Sequence, residues 1–393
     1  MDKNHLKTLF EKHYGGGRNV DYTFCPYRIC PLGAHVDHQH GLVSGFAINY
    51  GVGVCFSTND DGLIRIISRN FETEKVFELN GDLKKFGDWA DYFRGVISVL
   101  QRSFNLKTGI DAYMYGELPI GGLSSSAASV IAFLLAIGKA NGLNFSSQEI
   151  IRYAYLAEAD FVGMNIGTLD QSCEVLAQKN RLLVLDTNTG EYETVAMEKP
   201  CKPFEFLIVH SGAQRFLASS SFNIRVDECK AAAFIVNCHT GANKTFKDSY
   251  LRDIDMDTLH DCIDIIPKNF YKRAMHFYTE NERVRLGKLA WQNGDVEAFG
   301  QLINESGLSS VNQYESGSEL LIDLCDILRT ADGVYGTRFL GGGFNGACFS
   351  LIDPNKRQNI LSKIKQEYAE RHPEYAEKVQ CFIACSKDGV GNK

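Results

Sequence analysis

No run of apolar residues in this sequence is long enough to cross a bilayer. The longest, Ala127 to Gly138, holds 12 residues and includes a serine, against the roughly 20 that a membrane-spanning helix needs. The opening stretch, MDKNHLKTLFEKHYGGG, is polar and amphipathic and lacks the apolar core of a signal peptide. Positive charge is not in excess either. Lys plus Arg is 41 against 48 Asp plus Glu, a net charge of −7, so no global attraction to nucleic acid or to an anionic membrane is expected. The 12 Cys form no CxxC pair, which argues against a structural zinc site and suits buried, reduced thiols. A soluble, cytoplasmic protein is the expectation.

The 393 residues are too many for one compact core of ordinary size and fit two domains. Hydrophobic residues at 44% and charged residues at 23% exclude wholesale disorder. Asn49 to Ser57 and Leu63 to Ile67 read as strands joined by a turn at Asn59-Asp60-Asp61-Gly62, which is a hairpin signal. Ile110 to Gly116 reads as a strand that runs into a glycine and serine loop and then a long apolar helix, about Ser124 to Ala140. A second helix starts after Ser146, supported by Glu149, and continues to about Val162. Of only 8 prolines, two fall in Lys199 to Pro203, the expected boundary between a domain at 1–203 and a domain at 204–393. The second half alternates helices with a strand, glycine loop and strand at 333–352. Strands and helices mixed in both halves make an α+β fold.

Three segments carry chemistry. Pro119-Ile-Gly-Gly-Leu-Ser-Ser-Ser-Ala-Ala-Ser129 follows a strand and opens a helix. Its glycines admit a ligand close to the backbone, and the helix directs free amides and its positive dipole end at an anion, best a polyphosphate. It has no Lys and so is not a Walker A loop. A Ser-capped helix after an ordinary turn is the bland alternative, although three consecutive serines exceed what a cap needs. The second segment, Arg28-Ile-Cys-Pro-Leu-Gly-Ala-His-Val-Asp-His-Gln-His-Gly41, suits hydroxyl-rich ligands better than metal. Asp37 can accept from vicinal hydroxyls, His35 can donate or accept, and Arg28 can neutralise a transferring phosphoryl group. His38 and His40 read as loop surface. In the third segment, Phe339-Leu-Gly-Gly-Gly-Phe-Asn-Gly346, the glycines imply backbone packed against another loop or a ligand.

Together these segments resemble the three motifs of the GHMP kinase family, most closely its galactokinase branch. The galactokinase motif Gly-Arg-(Val/Ile)-Asn-Leu-Ile-Gly-Glu-His-Thr-Asp-Tyr is matched at Arg28, Gly33, His35 and Asp37. The resemblance implies a two-domain fold, with an N-terminal part like domain 2 of ribosomal protein S5 and a C-terminal GHMP kinase domain, and the active site between them. It implies Asp170, in Gly167-Thr-Leu-Asp-Gln171, as catalytic base, with Gly167 at the sugar. ATP would lie on Gly121, Gly122, Leu123, Ser124, Ser125, Ser126 and Ala127, with Trp89 at the adenine, and Ser126 and Glu158 would hold Mg²⁺. Leu217-Ala-Ser-Ser220 and Arg273-Ala-Met-His276 match further family segments. The partners implied are a sugar and ATP, in a monomer or weak homodimer.

The departures bear on the substrate. Ala34 stands where galactokinases carry the Glu that meets the sugar's C6 hydroxyl. A carboxylate at C6 would meet repulsion of about 4 kcal/mol from a Glu about 4 Å away. CPLGAHVDHQ is moreover similar to the motif of galacturonokinases, which carry Ala there. Phe222 replaces a sugar-contacting Tyr, and Arg215 is a candidate partner for the carboxylate. The resemblance therefore implies an ATP-dependent 1-kinase of D-galacturonate. The alternatives are a galactokinase that tolerates Ala34 and, less in keeping with intact Ser124-Ser125-Ser126 and Asp170, a non-catalytic sensor of sugar and ATP.

Overall fold

The computed structural model describes residues 3–213, 219–344 and 346–392. Twelve strands and eleven helices run through these residues. The first half contains α1 (Lys3–Tyr14), β1 (Asp21–Ile29), β2 (Leu42–Asn59), β3 (Leu63–Ser68), β4 (Phe71–Glu78), α2 (Asp91–Gln101), β5 (Gly109–Gly116), α3 (Ser125–Ala140), α4 (Ser147–Leu156), α5 (Leu169–Leu176), β6 (Leu182–Asp186) and β7 (Tyr192–Val195). The second contains β8 (Glu205–His210), α6 (Ser219–His239), α7 (Met256–Asp261), α8 (Lys268–Gln292), α9 (Val296–Asn312), α10 (Glu319–Arg329), β9 (Val334–Phe339), β10 (Ala347–Ile352), α11 (Arg357–Arg371), β11 (Gln380–Ala384) and β12 (Ser386–Lys387).

Two sheets result, one of eight strands and one of four in the order β11-β8-β10-β9. The expected α+β architecture is what is found. In the larger sheet the 18-residue β2 pairs with β1, β5, β6 and β12 along different parts of its length. Because β12 pairs with β2, the last strand returns to the first sheet. Apolar packing also crosses between the halves, since Phe46 of β2 meets Trp291 of α8 at 4.8 Å and Phe206 of β8 at 5.1 Å.

The apolar run expected as a core helix is α3, whose residues from Val130 to Leu134 are all fully buried. Ser146 and Glu149 form the expected capping box at α4. Two expectations fail. β2 and β3 are joined by the expected turn but are not a hairpin, because β5 inserts between them: Ile110 lies opposite Thr58 on one side and Ile64 on the other. The turn residues dictate a chain reversal only. Pairing is settled by β5, whose buried Ile110, Ala112 and Met114 favour a central place and whose Asp111 accepts from Asn59 and Arg65 on its two neighbours. The helix expected to continue to Val162 leaves α geometry after Leu156 and becomes a π-helical turn, Ala157–Val162. Gly163, at φ 81°, ends it. All twelve cysteines are free thiols, eight buried and four exposed, so the expectation of buried thiols holds for most of them.

Candidate active site

Arg28 leaves β1 just after an irregularity in its pairing with β2, between Pro26 and Arg28, a device that re-aims side chains. Its guanidinium is nearly enclosed; Nε donates to Asp170 Oδ1 at 2.7 Å, and Nη2 forms an ion pair with the same oxygen at 2.7 Å. Nη1 donates to the carbonyl of Gly122 at 3.0 Å. Burial opposes the Arg28 charge, but Asp170 more than offsets it and the pKa is raised. Asp170, in the first turn of α5, takes a second donor on Oδ2, the hydroxyl of Ser124. Its side chain remains 32% exposed.

That contact settles what Ser124 does. It occupies the N-cap of α3 in left-handed geometry, φ 59°, yet its side chain does not cap the helix. The bland reading of this loop as a Ser cap therefore fails. The first amides of α3 are left without a side-chain acceptor, as an anion site requires. The loop is seated by the third segment: a Cβ on Gly346 would lie 2.8 Å from the carbonyl carbon of Gly121, and one on Gly122 would lie 3.0 Å from the nitrogen of Ala347. Of the two readings left open for the 339–346 glycines, packing against another loop is the one observed.

The loop of Leu32 to Gly41 is held from both halves, with Ser44 and Thr187 of the first half donating to the carbonyls of Leu32 and Gly41. Glu280 of α8 accepts from the amides of Gly33 at 2.8 Å and Ala34 at 3.4 Å. His276, one turn earlier, makes a 3.0 Å contact with the carbonyl of Ala34. Burial opposes ionisation of Glu280, but Arg283, His276 and Arg338 together hold its pKa down at about 2. His35 (φ 62°) has Nε2 2.8 Å from the carbonyl of Gly341. Burial pulls the pKa of His35 well below its ordinary value and that of His38 to about 3. Asp37 accepts from the amides of His38 and Leu169. Burial, then the charge of Asp170, raises its pKa to about 6. Gly167 is required by this arrangement, since a Cβ there would sit 2.4 Å from Asp37 Oδ2.

The expectation that His38 is loop surface is wrong. It is buried, with Nε2 3.0 Å from the hydroxyl of Tyr314, because α6 and the end of α9 cover the loop. His40 is partly buried and stacks on Tyr250 at 3.9 Å. Phe222 of α6 lies 6.1 Å from the rings of both His35 and His38. Arg215 and residues 217–218 lie outside the described residues.

Two family models match this chain, the GHMP kinases N terminal domain over residues 91–178 and the GHMP kinases C terminal over 288–370. A galacturonokinase of Arabidopsis thaliana is 38% identical over 378 residues, covering 91% of this chain and 89% of the relative. The chain belongs to the GHMP kinase family. A galactokinase of Limosilactobacillus fermentum is 30% identical, covering 92% of this chain and 94% of the relative. Among solved structures, Lactococcus lactis galactokinase complexed with galactose has a TM-score of 0.89 at 26% identity and covers 98% of each chain. Methanococcus jannaschii mevalonate kinase, at TM-score 0.66 and 16% identity, shares the fold.

As a GHMP kinase the protein is an ATP-dependent sugar kinase, and its residues fit both parts of the cofactor. The open amides of α3 suit the phosphates. Glu158, buried on the π-helical turn, accepts from Gln171 at 2.5 Å. It lies in a region where Asp170 and Glu174 are balanced mainly by Arg28, and where burial pushes Glu174 toward its protonated form. A carboxylate there with the hydroxyl of Ser126 offers the hard oxygen ligands that Mg²⁺ takes. No cluster of three His, Cys, Asp or Glu among the described residues would cage a metal, so phosphate oxygens would complete the coordination. Trp89 stacks on Phe71, 5.0 Å between centroids and 6° from parallel, and meets Phe93 edge-on.

Reading the sequence gave no role to Glu280, Tyr314 or Gln171. Gln171 directly follows the proposed base. His276 and Glu280 stand four residues apart on one face of α8, and polar residues recurring at helical spacing are the signal that would have found them.

Proposed function

We propose that the protein transfers the γ-phosphoryl group of ATP to the anomeric hydroxyl of D-galacturonate, giving galacturonate 1-phosphate. The observation that carries the sugar-acid reading is Ala34. At the position of the galactokinase Glu this loop presents a methyl group, while the amide and carbonyl of Ala34 are committed to Glu280 and His276. Position 34 thus supplies no carboxylate to repel one at C6. Identity of 38% to the Arabidopsis galacturonokinase, against 30% to galactokinases, supports the same reading.

In this reading Asp170 receives the proton of the anomeric hydroxyl. Oδ1 takes a hydrogen bond and an ion pair from Arg28 and Oδ2 takes a hydrogen bond from Ser124, which leaves Oδ2 a further acceptor position. Arg28 places its positive charge beside the transferring group. Residues 121–127 cradle the phosphates. Ser126 and Glu158 would hold Mg²⁺, which would supply positive charge against the phosphates. Trp89 borders the adenine. Asp37 and His35 take sugar hydroxyls, Gly167 makes room for Asp37, Phe222 flanks the sugar, and Arg215 is the candidate partner of the carboxylate.

The test is ATP consumption with galacturonate, galactose and glucuronate, with the phosphate position checked on the product. Preference for galacturonate is expected. Equal or better efficiency with galactose defeats the reading and favours a galactokinase, the activity named for the structural neighbour at TM-score 0.89. Ala34→Glu is expected to lower kcat/KM for galacturonate by about 100- to 1000-fold, from repulsion of about 4 kcal/mol at an effective dielectric near 20. Galactose should be spared.

A further inference from the structure

Tyr314 lies immediately beyond α9 and is fully buried. Its ring stacks on the imidazole of His35, 4.5 Å between centroids and 28° from parallel, and lies 5.1 Å from that of His276. Its hydroxyl meets His38 Nε2 at 3.0 Å. One side chain of the second half therefore touches the residues on both sides of Asp37.

The direction of the hydrogen bonds follows from a fixed end. The backbone amide of Leu251 donates to Gln39 Oε1 at 3.1 Å, so Gln39 Nε2 is the donor end. Nε2 lies 3.3 Å from His38 Nδ1, which must accept. Neutral His38 then carries its hydrogen on Nε2 and donates it to Tyr314. The neutral form is the one burial favours. His35 is fixed in the same way, because the carbonyl of Gly341 can only accept and Nε2 must donate to it. Tyr314 is itself anchored. Its amide donates to the carbonyl of Ser309 at 3.0 Å, and Arg273 binds the carbonyl of Gln313 before it and the carboxylate of Glu315 after it.

We propose that Tyr314 is a positioning residue for sugar binding, holding the His35 and His38 rings so that Asp37 between them presents its carboxylate to the sugar hydroxyls. This rests on the reading that the sugar lies against Ala34 to Asp37, not on which sugar it is.

Steady-state kinetics of the full chain with Tyr314→Phe and Tyr314→Leu, for ATP and for whichever of galactose and galacturonate is turned over, test the proposal. Phe keeps the stack and loses the acceptor, so the sugar KM should rise about 3- to 10-fold. Leu loses both, and a rise of about 10- to 100-fold is expected. The ATP KM should stay within about twofold in both variants, as among the described residues Tyr314 has no contact with residues 121–127. A merely structural role would move both KM values together, and that outcome overturns the proposal. An unchanged sugar KM in Tyr314→Phe overturns it as well, and decides the matter if Tyr314→Leu does not fold. A preference for galactose would overturn the uronate reading and leave this inference standing.

Discussion

On the side proposed for the nucleotide, from Gly121 to Ser126, the protein offers mainly backbone: helix amides, two glycines and a second glycine loop pressed against them at 2.8–3.0 Å from where a Cβ would lie. On the side proposed for the sugar, from Gly33 to His38, it offers a loop braced from a distance by side chains: Glu280 and His276 on α8, Tyr314 beyond α9 and Phe222 on α6. A backbone cradle recognises what every nucleoside triphosphate shares, its chain of phosphates. A wall of side chains can be edited one residue at a time. The two sides also differ in charge. The phosphate side keeps Arg28 ionised against Asp170, while the sugar side keeps three histidines neutral by burial and lets only Asp37 sit near its titration point.

The largest expected effect lies where the sides meet. Asp170→Asn should cut kcat by about 100- to 10,000-fold, the range for losing a general base, with ATP and sugar binding still measurable by calorimetry. Turnover near wild type would remove Asp170 from the chemistry. Next comes a paired test of the two building materials. Glu280→Gln leaves Arg283 and Arg338 facing an uncharged group, at a cost of about 3 kcal/mol in stability, and should raise the sugar KM more than the ATP KM. Gly346→Ala, at φ 124° and against Gly121, should cost about 1–3 kcal/mol and raise the ATP KM more. Melting curves and both KM values check the pair, and the same ranking of KM effects in both variants would dissolve the contrast. The mildest effect is on pH. With Asp37 titrating at about 6, acid protonates it and removes an acceptor, so kcat/KM for the sugar should fall about tenfold per unit below about pH 6. A profile flat down to about pH 5 would show that Asp37 does not read the sugar in its charged form.

Most elements were legible because their signals are local. The helix run from Ala127 to Gly138, the Ser146 and Glu149 box and the strand, glycine loop and strand near 333–352 each lie within one short segment. The β2–β3 hairpin was misread because Asn59 to Gly62 states only that the chain turns, and the partner that separates the strands arrives some fifty residues later. The π-helical turn carrying Glu158 left no comparable mark. In the site, the serine loop, Arg28, Asp37 and Gly167 were all picked out, and the structure brings Arg28, Ser124 and Asp170 into direct contact. The burial of His38 was not foreseen, since a His between Asp and Gln is polar by any local measure.

The sequence by itself determined the kind of chemistry. Glycines and serines before an apolar helix suit an anion, and the three motifs in order identified the kinase family, because residue type and spacing are properties of the chain alone. Only the tertiary structure decided the state of the groups. His35 and His38 are neutral, Asp37 titrates near 6 and Glu280 stays charged because the fold strips water from these groups and brings Asp170 to Asp37 and Arg283, His276 and Arg338 to Glu280.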